Sequence, residues 1–147
     1  MMRRISALVL AGGLVAGGMS VGSASAASRP GAMMTQTIML HQVGNSKVTG
    51  TAKFTYNPSA KMTTVLLTVR GLKPGSIHPA HIHVGRCGGN GAVIYPFSVI
   101  KARSNGMGVA TTKFRGTFQH KMWYINVHQG PGLAGKQFTV ISCANVM

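Results

Sequence analysis

The chain has 147 residues and contains no Asp or Glu, while 15 Lys and Arg give it a formal net charge of +15. This composition excludes chemistry that needs side-chain carboxylates, such as a Ser-His-Asp triad, a two-carboxylate glycosidase, an EF-hand or an aspartic protease. The side chains left for chemistry are those of His, Lys, Cys, Tyr, Ser and Thr.

The basic residues stand singly along the chain, as Lys47, Lys53, Lys61, Arg70 and Lys73 illustrate. Nucleic-acid-binding proteins gather such charges into a patch or stripe, so no nucleic-acid partner is expected. A solvated surface, contact with an anionic cell envelope and attraction of small anions are the remaining explanations. Because acid denaturation is mostly protonation of carboxylates, we expect little loss of stability down to about pH 3, apart from the contribution of the histidines.

The first 26 residues are predicted to be a signal peptide. Two arginines precede an apolar stretch over residues 5–21, and Ala24-Ser25-Ala26 fits a cleavage pattern of small residues. The apolar stretch is too short and too rich in glycine for a membrane span, and no second one follows. We therefore expect a secreted, periplasmic or envelope-associated protein, with a linker over residues 27–33 and one domain over residues 34–147.

Two cysteines, Cys87 and Cys143, belong to the exported part. In an oxidising compartment such a pair is expected to form one disulfide. A thiol that binds metal or acts as a nucleophile is the alternative.

The domain consists of short segments with β-strand composition, separated by turns such as Gly44-Asn45-Ser46 and Asn57-Pro58-Ser59. Strands are expected over residues 34–43, 47–56, 61–69, 77–84, 92–100, 107–114, 122–128 and 136–142. About eight strands without helical periodicity predict an all-β fold, a Greek-key sandwich or barrel of antiparallel strands with one disulfide.

Histidines at alternate positions mark one of these strands. His81 and His83 lie two residues apart and so project from the same strand face. His128 ends a later strand, on the face that it shares with Tyr124 and Asn126. Imidazoles suit copper and zinc as ligands. Because metal–nitrogen bonds are near 2.0–2.1 Å, the ring nitrogens of His81, His83 and His128 should lie within about 3–4 Å of one another. Solvated histidines on a polar strand face are the alternative interpretation.

The loop Gly71-Leu72-Lys73-Pro74-Gly75, the run His78-Pro79-Ala80-His81-Ile82-His83 and then Cys87 resemble the pattern of the Cu,Zn superoxide dismutase family. In that family a GL-x-PG loop leads into H-G-F-H-V-H and then to a disulfide cysteine, and the resemblance extends from about Met34 to Met147. It implies that His81, His83 and His128 are copper ligands and that Cys87 pairs with Cys143. It also implies that His78 supports the site as a structural histidine.

The chain resembles a second family, the chordin-type CHRD domain. The A-H-I-H-x-G and Y-x-N-V-H strands of that family are present here as Ala80–Gly85 and Tyr124–His128. The resemblance implies a dismutase-like fold without a defined activity.

The sequence departs from the dismutase pattern at positions that bind zinc and at a position that guides the substrate in that family. Residues 85–105 contain neither histidine nor aspartate, so no zinc site is expected and the histidine that bridges the two metals is missing. Val140 stands where that family has an arginine that guides anions, three residues before the C-terminal cysteine. His120, in a polar turn, is either a fourth copper ligand or simply solvated.

Three functions remain open from the sequence. The first is a copper-only dismutase that takes superoxide, a small anion, as its substrate. The second is a non-catalytic, CHRD-like extracytoplasmic domain that binds metal or associates with the envelope. The third is a structural sandwich that binds no metal.

Overall fold

The computed structural model describes residues 31–147. The predicted signal peptide and the linker up to residue 30 lie outside the described residues. Within residues 31–147 no helix is long and apolar enough to span a membrane. The strands are β1 (Met34–Gln42), β2 (Thr49–Asn57), β3 (Met62–Arg70), β4 (Ile77–His78), β5 (Ala80–Val84), β6 (Val93–Pro96), β7 (Ile100–Lys101), β8 (Gly108–Arg115), β9 (Trp123–His128) and β10 (Val140–Val146), with a 3₁₀ turn at Gly135–Phe138.

Eight of the ten strands form one antiparallel sheet in the order β6-β5-β9-β10-β1-β2-β3-β8, and β4 and β7 form a separate two-stranded ribbon. Strand β1 joins the two halves of the sheet, because it pairs first with β2 and then, at His41 and Gln42, with β10. The outer strands approach each other where the Ser98 N–H donates to the Thr111 carbonyl. The sheet is thus nearly closed, and the prediction of an all-β fold of antiparallel strands is confirmed.

Alternation along the strands separates a core face from an outer face. On β2 and β3 the residues Ala52, Phe54, Val65 and Leu67 are fully buried, whereas Lys53 and Leu66, which lie between them, are exposed. On β5 and β9 the core residues are Ala80, Ile82, Ile125 and Val127. The histidines of β5 alternate with these core residues and therefore project from the other face of the same two strands.

Two predicted strands are each divided in the structure. The segment 77–84 is interrupted at Pro79, because a proline ring has no N–H to donate to a strand ladder. The segment 92–100 divides into β6 and β7 after Pro96. The short strands β4 and β7 pair with each other and leave the main sheet.

The last predicted strand begins later than expected. Residues 136–138 belong to the 3₁₀ turn, and β10 continues to Val146. The turn forms because the loop after β9 folds on itself: the Gly130 N–H donates to the Gln137 carbonyl, and the Gly132 N–H donates to Gln137 Oε1. The backbone groups in these hydrogen bonds are therefore not available to pair with a neighbouring strand, so β10 begins later.

The expected disulfide is present between Cys87 and Cys143, whose Cα atoms are 6.0 Å apart. It links the loop after β5 to β10. The Cys87 N–H also donates to Asn145 Oδ1 at 2.8 Å. The loop over residues 85–92 is therefore fastened to the sheet beside the strands that carry the histidines.

Candidate metal centre

Three histidines from two adjacent strands meet on the outer face of the sheet. His81 and His83 come from β5, and His128 ends β9, the antiparallel neighbour of β5. Each offers one ring nitrogen, and these nitrogens lie within 4.8 Å of one another. His83 and His128 are buried, and His81 is partly buried. The structure thus brings together the three residues that the sequence singled out.

The cluster is somewhat wider than a bound ion requires. A four-coordinate ion with bonds of 2.0–2.1 Å holds its ligand nitrogens roughly 3.4 Å apart. Nitrogens at the 4.8 Å limit of the cluster have to approach by more than an ångström. Rotation of the rings, and of the partly buried His81 above all, is the simplest way to close this gap.

Backbone carbonyls fix the orientation of two of the rings. His83 donates its Nδ1–H to the Gly91 carbonyl at 2.9 Å, and His128 donates its Nδ1–H to the Phe138 carbonyl at 2.8 Å. A carbonyl oxygen only accepts, so the proton of each neutral ring lies on Nδ1 and the lone pair on Nε2. Such bonds orient imidazoles in metal sites.

The ring nitrogens left over have no partner. Nδ1 of His81 and Nε2 of His83 and of His128 are buried without a hydrogen bond, and so is Oδ1 of Asn126. No other buried side-chain nitrogen or oxygen in residues 31–147 is unpaired in this way. Folded proteins pair most of their buried polar groups, so four such atoms around one cluster indicate a site for a bound species.

Aromatic rings pack against two of the histidines. The Tyr124 ring stacks on His83 with centroids 4.9 Å apart, and the Phe138 ring stacks on His128 at 5.0 Å. The Tyr124 hydroxyl donates to the Gly89 carbonyl and accepts from the Gly91 N–H. Tyr124 therefore holds both the His83 ring and the loop whose carbonyl orients that ring.

His78 lies behind the cluster. Its side chain is buried, and its Nδ1–H donates to the His128 carbonyl at 3.0 Å. Its Nε2 shares a hydrogen bond of 2.6 Å with the Ser76 hydroxyl. His78 thus contacts the main chain of His128 and fixes the end of β9. This is the position that a supporting histidine would occupy.

His120 is placed elsewhere. It is exposed in the turn before β9, whereas His128 lies at the far end of that strand. It lines a different cavity, of about 220 Å³, together with Arg86, Lys121 and Trp123. The structure does not bring His120 into the histidine cluster.

The surroundings of the cluster favour neutral imidazoles. Burial lowers the pKa of His81 most, and nearby His128 and His83 add to the shift because a second positive charge is unfavourable there; together they bring this pKa to about 4. Burial also lowers the pKa of His128, although the hydrogen bond to Phe138 opposes this shift. At neutral pH both rings therefore carry a lone pair that is free to bind an electron-pair acceptor.

A cavity of about 240 Å³ opens beside His81 and His83. Asn126 contributes a polar group to it, and Val93, Leu133, Phe138 and Val140 form an apolar wall. Among the residues described by the structure, no Lys or Arg lines this cavity. Val140, at the position where the dismutase pattern has its arginine, belongs to the apolar wall.

Several contributors to the site were not identified from the sequence. Gly91 and Phe138 act through backbone carbonyls, which any residue could supply, so no side-chain signal marked them. Asn126 and Tyr124 were placed on the face of His128 by alternation alone. Their contacts with the cluster depend on the pairing of β5 with β9.

The fold and the site together define the class of protein. It is a domain with a nearly closed antiparallel β-sheet, one disulfide and a cluster of three histidines on the outer face of the sheet. The sequence pattern of the CHRD domain matches residues 32–134, well over half of the chain. The chain belongs to the CHRD domain family. No curated protein is significantly similar in sequence, and the resemblance to the Cu,Zn superoxide dismutase family is not confirmed. The disulfide and the family are both compatible with an extracytoplasmic location.

Proposed function

We propose that this protein is an exported, non-catalytic CHRD domain that binds one copper ion through His81, His83 and His128. The observation that carries the proposal is the set of three buried ring nitrogens that lack a hydrogen-bond partner and belong to one cluster. A buried polar group left without a partner costs about 1–3 kcal/mol. A bound ion would offset that cost at all three nitrogens together.

The chemistry of the donors supports copper. Neutral imidazole binds copper and zinc well, and affinity at such sites rises along the first-row metals to a maximum at Cu²⁺. When bound, copper supplies an acceptor for the three nitrogen lone pairs. The chain's own residues position the ligands. The Gly91 and Phe138 carbonyls orient the rings of His83 and His128, and Tyr124 and Phe138 pack against those rings.

Dismutation of superoxide is the alternative, and the cavity gives it little support. An anionic substrate is drawn by positive charge lining its approach. Here the wall beside the cluster is apolar, with Val140 and Phe138 in it and no cationic side chain among the described residues that line it. The Lys and Arg side chains of residues 31–147 are exposed on the outer surface instead.

Copper loading of the exported chain, with superoxide consumption measured on the same samples, tests the proposal. We expect about one Cu(II) per chain and a rate no higher than that of a buffer control. His81→Ala and His128→Ala should each weaken binding, because each removes one of only three imidazole ligands. His120→Ala, which removes an exposed histidine outside the cluster, is the matched control and should bind as wild type does.

Two results would contradict the proposal in different ways. Stoichiometric copper with rapid superoxide consumption would make the protein an enzyme and leave the ligands in place. Unchanged copper affinity in both cluster variants would mean that the ion binds elsewhere.

A further inference from the structure

Asn126 lies among the three histidines. It is directly opposite His81 across the β5–β9 pair and two residues before His128 on the same strand face. Residues opposite one another on antiparallel strands have Cβ atoms about 4.5–5.5 Å apart. Asn126 also lines the cavity that His81 and His83 line. Its side chain therefore shares the space into which the imidazoles project.

The carboxamide of Asn126 has no partner for its oxygen. The residue is only 6% exposed, and Oδ1 is buried without a hydrogen bond. Two of the neighbouring rings cannot supply a donor, because Nε2 of His83 and of His128 carry lone pairs once their Nδ1 protons are given to carbonyls. No hydrogen-bond donor of the described residues reaches the amide oxygen.

The unpaired atoms at the cluster can all act as electron-pair donors, Nδ1 of His81 in the tautomer that carries its proton on Nε2. Three are ring nitrogens and the fourth is the amide oxygen. A water molecule or a hydroxyl group has one or two hydrogens and leaves part of such a set unpaired. A metal ion accepts electron pairs from every side, and four donors match the coordination number that such sites commonly complete.

We infer that Oδ1 of Asn126 is the fourth donor of the metal centre, so that the ligand set is three imidazole nitrogens and one carboxamide oxygen. The inference rests on the proposed function and extends it to the oxidation state of the ion. Carbonyl oxygen is a hard ligand, whereas Cu(I) is selected by soft ligands such as thiolates and thioethers. Asn126 therefore favours Cu(II) over Cu(I) and opposes cycling between the two.

Copper affinity in both oxidation states, measured by competition with chelators, tests this role without any assay of activity. For Asn126→Ala we expect Cu(II) to bind about tenfold more weakly, in the range typical of the loss of a supporting group, while Cu(I) affinity changes much less. The Cu(II) electron paramagnetic resonance spectrum should change as well. Asn126→Asp, which places a carboxylate at the same position, should bind Cu(II) more tightly than wild type.

Asn90→Ala is the matched control, because Asn90 is an exposed amide that lines the same cavity. Its Cu(II) affinity and spectrum should equal those of wild type. Asn126→Leu tests the role of Asn126 through the melting temperature of the metal-free protein. Since it removes an unpaired buried oxygen, its melting temperature should match or exceed that of wild type, while the increase in melting temperature on adding Cu(II) should shrink.

The outcomes separate this inference from the proposed function. If His81→Ala loses copper but Asn126→Ala keeps the wild-type affinity and spectrum, Asn126 is not a ligand and the copper site stands. If the wild-type chain binds no copper, both are overturned. An equal loss of Cu(I) and Cu(II) affinity in Asn126→Ala would contradict the selection of oxidation state.

Discussion

The ring of Tyr124 lies nearly parallel to the ring of His83, with an angle of 15° and centroids 4.9 Å apart. Its hydroxyl is 2.8 Å from the Gly89 carbonyl and 3.1 Å from the Gly91 nitrogen. Gly91 in turn accepts the hydrogen bond that orients His83. One side chain therefore supports an imidazole both by direct packing and through the loop that holds it.

Tyr124→Phe separates these two contributions, because it keeps the stacked ring and removes the hydroxyl. We expect a loss of about 1–2 kcal/mol in the free energy of unfolding, since Gly89 and Gly91 each lose a hydrogen bond. Copper affinity should fall by about tenfold as the orientation of His83 becomes less fixed. Denaturant unfolding and a copper titration measure the two effects.

Tyr95→Phe is the control for that variant, because the Tyr95 ring stacks on Phe114 and packs against the core, on the face of the sheet opposite the histidines. It should leave copper affinity unchanged. Equal copper affinities for Tyr124→Phe and wild type would show that the hydroxyl does not help to orient His83.

Gly91 is predicted to tolerate no side chain. A Cβ at this position would collide with the carbonyl of Val84 and approach the Tyr124 ring. Gly91→Ala must therefore displace the loop that orients His83, and we expect it to cost about 3 kcal/mol or more, as large backbone disruptions do. Thermal unfolding and copper titration of the variant measure the cost and its effect on the site.

Gly88→Ala is the comparison for Gly91→Ala in the same loop. A Cβ at Gly88 meets nothing within 4 Å, and only its φ of +84° is unfavourable for alanine. A cost of about 1–2 kcal/mol is expected for that backbone strain. If Gly91→Ala were no worse than Gly88→Ala, the close contact with Val84 would not constrain the loop.

The histidine cluster gives the metal-free protein a defined pH dependence. The pKa of His81 is lowered from 6.5 to about 4 by burial and by its histidine neighbours. Between these values the unfolded chain binds more protons than the folded one, so stability decreases as the pH falls through this window. The lowered pKa of His128 acts in the same direction. Below about pH 4 the His81 contribution no longer changes, and the chain has no Asp or Glu to add another.

Melting temperatures of the metal-free protein from pH 7 to pH 2 measure this dependence. We expect a decrease between about pH 6.5 and pH 4 followed by a plateau. In His81→Ala the decrease should be smaller, whereas His41→Ala, which removes an exposed histidine of β1, should follow the wild-type curve. A decrease confined to the range below pH 4 would contradict the lowered pKa of His81.

The fold could be predicted from the sequence where polar and apolar residues alternate regularly along a strand. It could not be predicted where backbone hydrogen bonds determine the local structure. Strands β1, β2, β3 and β8 lie within two residues of their predicted bounds, because more and less buried positions alternate along them. Residues 136–138 of the 3₁₀ turn were predicted as strand, since the hydrogen bonds of the turn come from backbone groups of a loop that residue types do not reveal.

The candidate site shows the same division. The spacing of His81 and His83 placed both on one face. His128 was added as the histidine that ends a later strand, and the family resemblance implied the same three residues. The unpaired Oδ1 of Asn126 could not be predicted, because a missing hydrogen bond depends on every neighbour in the folded chain. Family membership rests on the match over residues 32–134.

The surface charge leads to the last prediction. Every Lys and Arg in residues 31–147 is exposed, and the chain contains no Asp or Glu to offset them. The outward face of β2, β3 and β8 carries four of these side chains, those of Lys53, Arg70, Lys113 and Arg115.

We expect the protein to bind vesicles that contain phosphatidylglycerol but not vesicles of phosphatidylcholine, because the attraction is electrostatic. Raising the salt from about 0.05 M to 0.5 M should release it, since the screening length falls severalfold. Gln at these four positions should weaken binding more than Gln at Lys61, Lys73, Lys101 and Lys136, and retention at high salt would contradict an electrostatic contact.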